Sequence, residues 1–259
     1  MMMSKSAFLW SINIMTQKVL AKLMFFAGCN KLGLFTIAIA SSCLMIVPQG
    51  QVRAASVFIA NHSFETPVIT SPNGFVTVPS GTNNNWTFTG GSNQGFANPT
   101  LGHNFGNSWY GPSPTLPNGN QVAWSNGGTI SQTLSATLQA NTKYTLGAYV
   151  GRRLAPTNNF PGYNIQLLAG STVLASSGSS VTPAEGTFAP VTVSYSSGSS
   201  SPLFGQALEI RLTSLSGVNV QTNFDLITLD ASPIPEPSAI LGLLGFGLLG
   251  IASKLQQKR

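Results

Sequence analysis

The feature that most constrains this chain is a set of apolar runs with period two. Tyr144, Leu146, Ala148 and Val150 alternate with Thr145, Gly147 and Tyr149, and Leu208, Ile210 and Leu212 alternate with Glu209, Arg211 and Thr213. Side chains of a strand alternate between faces, so such runs mark strands with one buried face. Val191, Val193 and Tyr195 repeat the pattern. Further strands are expected near Val57–Ala60, Trp86–Thr89, Gln121–Trp124, Thr129–Leu134, Tyr163–Ala169, Thr172–Ala175 and Thr222–Leu229. Turn formers separate them, among them Pro117-Asn118-Gly119-Asn120, Asn126-Gly127-Gly128 and a hairpin turn at Ala169-Gly170-Ser171. About ten short strands and no convincing amphipathic helix predict an all-β fold, a single jelly-roll-like β-sandwich over residues 55–233.

One stretch departs from the pattern. Ser71 to Pro117 is rich in Asn, Gly and Pro, yet it holds Phe96, Phe105, Trp109 and Tyr110. A long segment with little strand signal is a functional loop or a linker, and its aromatics argue against disorder. It reads as ordered loops packed on one end or face of the sandwich.

The flanks read as targeting segments. Lys18, Lys22 and Lys31 precede an uncharged run from Leu32 to Val47, and Val52-Arg53-Ala54 offers a cleavage site after Ala54. Residues 1–54 are thus expected to be a secretory leader with a signal helix. Translation from Met15 or Met24, a lipoprotein Cys43 and a retained N-terminal membrane helix are alternatives. At the other end, Pro235-Glu236-Pro237 precedes an apolar stretch, Ser238 to Ala252, and a basic tip of Lys254, Lys258 and Arg259. The apolar stretch is expected to form a short transmembrane helix over 238–252, with the cations retained on the cytoplasmic side. At 1.5 Å per residue it reaches only about 22 Å, short of the roughly 30 Å hydrocarbon core.

These flanks account for the charge. The chain of 259 residues carries a net charge of +6, but between Ala55 and Ile234 the cations are Lys143, Arg152, Arg153 and Arg211 alone. Glu65, Glu185, Glu209, Asp225 and Asp230 oppose them. The cargo is nearly neutral, which excludes a nucleic-acid grip by a basic patch. Both cysteines, Cys29 and Cys43, lie in the leader, so the cargo has no disulfide, cysteine zinc site or thiol nucleophile.

The order Pro-Glu-Pro, apolar helix, basic tip resembles the PEP-CTERM sorting signal of bacteria that make extracellular polymer. The resemblance, confined to residues 234–259, implies export, an inner-membrane-anchored precursor and processing by an exosortase. The product would reside at the cell surface or in the extracellular matrix, with exosortase, the secretion machinery and the membrane as partners.

A second resemblance rests on two short motifs. Asn61-His62-Ser63-Phe64-Glu65 is similar to the opening of galactose-binding-like jelly rolls, the architecture of many carbohydrate-binding modules. Phe224-Asp225-Leu226-Ile227-Thr228-Leu229 is similar to their closing strand, with Leu226 where an Asp or Asn is common. The resemblance implies adjacent first and last strands that share a structural calcium, held by Glu65, Asp225 and carbonyls near Asn61 and Ser63; calcium takes six to eight oxygens. Alternatively, Glu65 pairs with an arginine or a backbone amide and Asp225 caps a turn.

Flat aromatic side chains stack on sugar rings, which makes Trp109, Tyr110, Tyr149 and Tyr163 candidates for polysaccharide binding. Trp86 and Trp124 are expected in the core. Catalysis finds little support: His62 and His103 are the only histidines, no Gly-x-Ser-x-Gly elbow is present, and acidic residues are few. The expectation is therefore a non-catalytic exported protein that binds polysaccharide. A structural or adhesive envelope protein, or a glycan-active hydrolase, are the alternatives.

Overall fold

The computed structural model describes residues 54–71, 74–101, 109–111, 114–154 and 159–234. The expected signal helix, the helix over 238–252, His103, Pro235, Glu236, Pro237, Lys254, Lys258 and Arg259 lie outside them.

Two antiparallel sheets face each other. The first runs in the order β11 (Thr187–Ser196), β8 (Thr142–Arg152), β13 (Thr222–Pro233), β6 (Val122–Ser125), β5 (Gln94–Ala97), β2 (Phe75–Thr77), with β1 (Ala55–Ser56) also paired to β13. The second runs β10 (Thr172–Ser176), β9 (Tyr163–Ala169), β12 (Ala207–Ser214), β7 (Gly128–Thr137), β4 (Trp86–Gly90), β3 (Gly81–Asn83). The chain is an all-β sandwich, and its first and last strands are neighbours, Ala55 opposite Ala231.

The alternating runs fill the space between the sheets. Leu146, Ala148, Val150, Phe224 and Leu229 from the first sheet meet Trp86, Phe88, Ile130, Ile165, Leu208, Ile210 and Leu212 from the second. Full burial of a Leu or Ile side chain is worth about 1.5–3 kcal/mol, so β12 alone anchors the second sheet strongly. Trp86 and Tyr163 belong to this core, both fully buried.

Three departures from the sequence reading stand out. The segment from 71 to 117 supplies β2, β3 and β5, which lie at or near sheet edges, as well as the expected β4. At three or four residues each, they are too short to display the alternation of the longer strands. The strand expected at Val57–Ala60 stops at Ser56 in ladder terms, although the Val57 amide still donates to the Leu229 carbonyl at 2.7 Å. Trp124 is buried, but on the outer face of the first sheet rather than between the sheets.

That outer face carries a second apolar cluster. Ala97, Val122, Trp124, Trp109 and Tyr110 form it, with Phe75, Leu116 and Phe188 packed against them. Here Trp109 and Tyr110 fold back onto the sheet, pinned where the Leu154 amide donates to the Trp109 carbonyl at 2.8 Å.

Candidate functional site

The outer face of the first sheet is organised in ladder rows, whose paired residues point to the same side. One row reads Phe188, Gly151, Asn223, Trp124, Gly95; the next pairs Pro190, Tyr149 and Asp225. Gly151 leaves an opening in the first row. A Cβ there would collide with the Tyr110 hydroxyl and the Phe188 ring. Tyr110 and Phe188 use that space to stack, centroids 4.7 Å apart and 24° between planes.

Beside them opens a cavity of about 410 Å³, walled by Tyr110, Tyr149, Phe188, Leu116 and Pro117. Its volume is in the range of small-molecule sites, and Thr115 and Thr187 share its lining with the aromatic rings.

Asp225 sits behind this wall, wholly buried next to its ladder partner Tyr149. Its Oδ2 accepts the Asn118 amide at 3.0 Å and its Oδ1 the Leu226 amide at 2.6 Å. Burial raises its pKa from 3.8 to about 7; the two amide donors pull it down, and the charge of Glu65 pushes it up. A carboxyl in this state holds its proton near neutrality and can deliver it, which is the property of a general acid.

The backbone beneath Asp225 is unusual. The β8–β13 register slips between Asp225 and Thr228, and Leu226 adopts φ +46°. A branched residue in the left-handed region stores strain, and such strain concentrates at functional sites.

Arg153 closes the far side. Its guanidinium carbon lies 3.7 Å from the centre of the Trp109 ring, and its Nη1 donates to Gln221 Oε1. Burial lowers its pKa to about 10, partly offset by Tyr110. The Tyr110 phenol is itself held well above its usual range by burial, with Arg153 lowering it and Asp225 raising it.

The residues singled out from sequence separate into distinct places. Tyr110 and Tyr149 line the cavity, Trp109 packs beneath it against Phe75 and Trp124, and Tyr163 lies in the inter-sheet core. Glu65 Oε1 accepts the amides of Asn120 and Gln121, both at 2.9 Å. The Asn61 side chain bridges Thr66 and Asn84, the Asn61 backbone carbonyl accepts the Trp86 indole N–H at 3.0 Å, and Ser63 is buried. The two carboxylates of the expected calcium set each accept backbone amides, Glu65 from Asn120 and Gln121 and Asp225 from Asn118 and Leu226. Among the described residues no cluster of three His, Cys, Asp or Glu could hold a metal.

Sequence reasoning missed Asp225 as an acid, along with Arg153, Gln221 and Phe188. A usable signal was present: Gly147 and Gly151 flank Tyr149 on one face of β8, and glycine inside a strand marks close approach of another group.

Comparison with known proteins covers the whole sandwich and the tail. Residues 55–230 match the family HpiC1-like, HpiC1 cyclase, and residues 233–258 match the PEP-CTERM protein-sorting motif. The Stig cyclase Fisc from Fischerella sp. TAU, solved with (3Z)-3-(1-methyl-2-pyrrolidinylidene)-3H-indole, is 29% identical at TM-score 0.60, over 71% of this chain and 100% of that one. A cyclase from Fischerella sp. TAU in complex with 4-(1H-indol-3-yl)butan-2-one is 31% identical at TM-score 0.55, with the same coverage. The CBM22-1 xylan-binding domain of Paenibacillus barcinonensis Xyn10C matches at TM-score 0.39 and 16% identity, over 71% of this chain and 100% of that one. No curated protein sequence matches the chain.

The sorting motif supports export with a membrane-anchored precursor, as expected from the tail. The expectation of a non-catalytic protein is overturned by the cyclase match. It rested on a search for paired carboxylates and histidine triads, whereas a single buried carboxyl acid leaves no such pattern in sequence. The segment 55–230 makes this chain a member of the HpiC1-like cyclase family.

Proposed function

We propose that the protein is an exported cyclase that binds a flat, largely apolar aromatic substrate of indole type and closes a ring by acid catalysis from Asp225. The observation that carries this reading is a buried carboxyl with pKa about 7 beside a cavity of about 410 Å³ walled by Tyr110, Tyr149 and Phe188. Flat rings stack well against such a wall. The indole compounds bound by the Fischerella relatives support the same ligand class.

The chemistry balances without a co-reactant. Asp225 gives its proton to an unsaturated or carbonyl side chain of the substrate, and the electron-rich ring attacks the cation. Loss of a proton from the closed product returns it to the carboxylate. A positioned acid contributes about 10²–10⁴-fold.

The test is twofold. Calorimetric titration with 4-(1H-indol-3-yl)butan-2-one is expected to show saturable binding that Asp225→Asn retains. Turnover of an indole with an unsaturated side chain is expected to fall at least about 100-fold in Asp225→Asn. Unchanged turnover in that variant would sink the assignment of the acid.

A second reading, polysaccharide binding, draws on the same wall. Tyr149 is only half-buried, and Thr115 and Thr187 share the cavity lining with the aromatic rings. Retention on a polysaccharide column that Tyr149→Ala abolishes would favour it. The sorting motif supports an exosortase as processing partner and the cell surface or matrix as destination.

A further inference from the structure

The end of the sandwich from which the tail leaves is built of uncharged loops tied together through the backbone. The Leu138 amide donates to the Gln206 carbonyl at 2.9 Å, and the Gly205 amide donates to the Leu138 carbonyl at 3.0 Å. Gly170, in the β9–β10 turn, donates to Ala207 at 2.9 Å, and Asn141 donates to Gly198 at 2.9 Å. Ile234 closes the set, its amide donating to the Asn141 carbonyl at 2.6 Å. Residues 138–142, 170–171 and 197–207 hold no Asp, Glu, Lys, Arg or His. Short polar side chains and glycines fill them, with Pro202 and Ile234 exposed and Leu203 and Phe204 partly so. The exposed Lys143 follows directly on Thr142.

The cavity lies at the opposite end. Tyr149 and Gly151 are seven and nine residues from Thr142 along β8, about 23–30 Å at about 3.3 Å per residue. Charges return there: Arg152 pairs with Glu185 at 2.7 Å, next to Gly186 and Thr187 of the cavity lining.

The tail fixes which end meets the membrane. Its uncharged apolar stretch starts at Ser238, four residues beyond Ile234. Four residues span at most about 14 Å fully extended, so the tip stays within that reach of the bilayer in an anchored precursor. A surface held there is costly if it carries charges that must lose water, and a carboxylate is also repelled by anionic lipid. Hydroxyls and amides can hydrogen-bond headgroups, and a lysine is attracted to them.

We propose that this uncharged tip rests on the lipid headgroups in the anchored precursor, so that the sandwich stands on the membrane and holds its cavity at the far end, in the water phase. The substrate then arrives from solution and not sideways out of the lipid. The inference rests on the sorting motif as an anchor and not on the reaction assigned to the cavity.

The test uses the full chain with Cys29→Ser and Cys43→Ser, since cysteine occurs only at those two positions. It is reconstituted in phosphatidylcholine–phosphatidylserine vesicles carrying a nitroxide quencher on the headgroup. A fluorophore is attached at Ser199→Cys in the tip or at Ala184→Cys beside the cavity, both exposed positions. Fluorescence is expected to be lost at Ser199→Cys and kept at Ala184→Cys. Adding Ala140→Glu and Ser200→Glu, again at exposed positions, places two carboxylates in the tip and is expected to restore fluorescence at Ser199→Cys. Equal loss at both labels, or a larger loss at Ala184→Cys, overturns the orientation. Quenching that the two carboxylates leave unchanged overturns the lipid contact. Failure of the chain to float with the vesicles overturns the anchor itself, a separate outcome from either.

Discussion

Asp225 keeps its proton up to about pH 7 because burial outweighs the two amide donors that favour its charge. Two pH effects follow. Acid catalysis needs the protonated form, so turnover is expected to decline as pH rises through about 7, with a single titration in kcat/KM. Stability has the same sign. Between an unfolded pKa near 3.8 and the folded value near 7, the native state binds a proton the unfolded state has lost. Stability therefore falls as pH rises across that window and levels above it. Asp225→Asn is expected to remove this slope, measured as urea midpoints at pH 4.5 and pH 8. Glu65 acts on the same neighbourhood from the other side: Glu65→Ala removes the acceptor of the Asn120 and Gln121 amides. A loss of about 1–3 kcal/mol is expected from the abandoned donors, read by chemical denaturation.

At the scale of elements, β8 and β13 carry the site between them. Gly151 on β8 gives Tyr110 its seat, so Gly151→Ala is expected to displace that ring. A loss of about 1–3 kcal/mol in stability and at least tenfold in probe affinity should follow, measured by denaturation and calorimetry. Gly147→Ala, whose Cβ would meet only the hydroxyl of Thr228, is the milder control. The contrast between these elements also explains what the sequence revealed. β8, β11 and β12 were legible because apolar residues alternate along each, and the Ala169-Gly170-Ser171 turn fixed one hairpin. β2, β3 and β5 were not, since three or four residues are too short to carry a readable period. The cavity was half legible. Tyr110 and Tyr149 are candidates from sequence as flat rings able to stack on a ligand, but the raised pKa of Asp225 arises from burial beneath residues far away in sequence. Asn118 lies 107 positions from it. No local pattern encodes that proximity.

For the whole molecule, the enzyme fold and the address are separate: the cyclase match covers 55–230 and the sorting motif 233–258. Substituting Pro235-Glu236-Pro237 is expected to leave ring closure by the purified chain unchanged. In a host with an exosortase it should leave an unprocessed precursor in the membrane fraction, detected by size on immunoblots. Equal processing of both forms would refute the role of the motif.

The position of β13 adds a matter of timing. This strand lies between β8 and β6, touches β1, carries Asp225, and ends at Pro233, beside the sorting motif. Until it emerges, the first sheet is two fragments and the acid has no burial to hold its proton. The last strand to be made is thus the one that joins the two halves of the first sheet, so that sheet closes only when the chain is complete to Pro233.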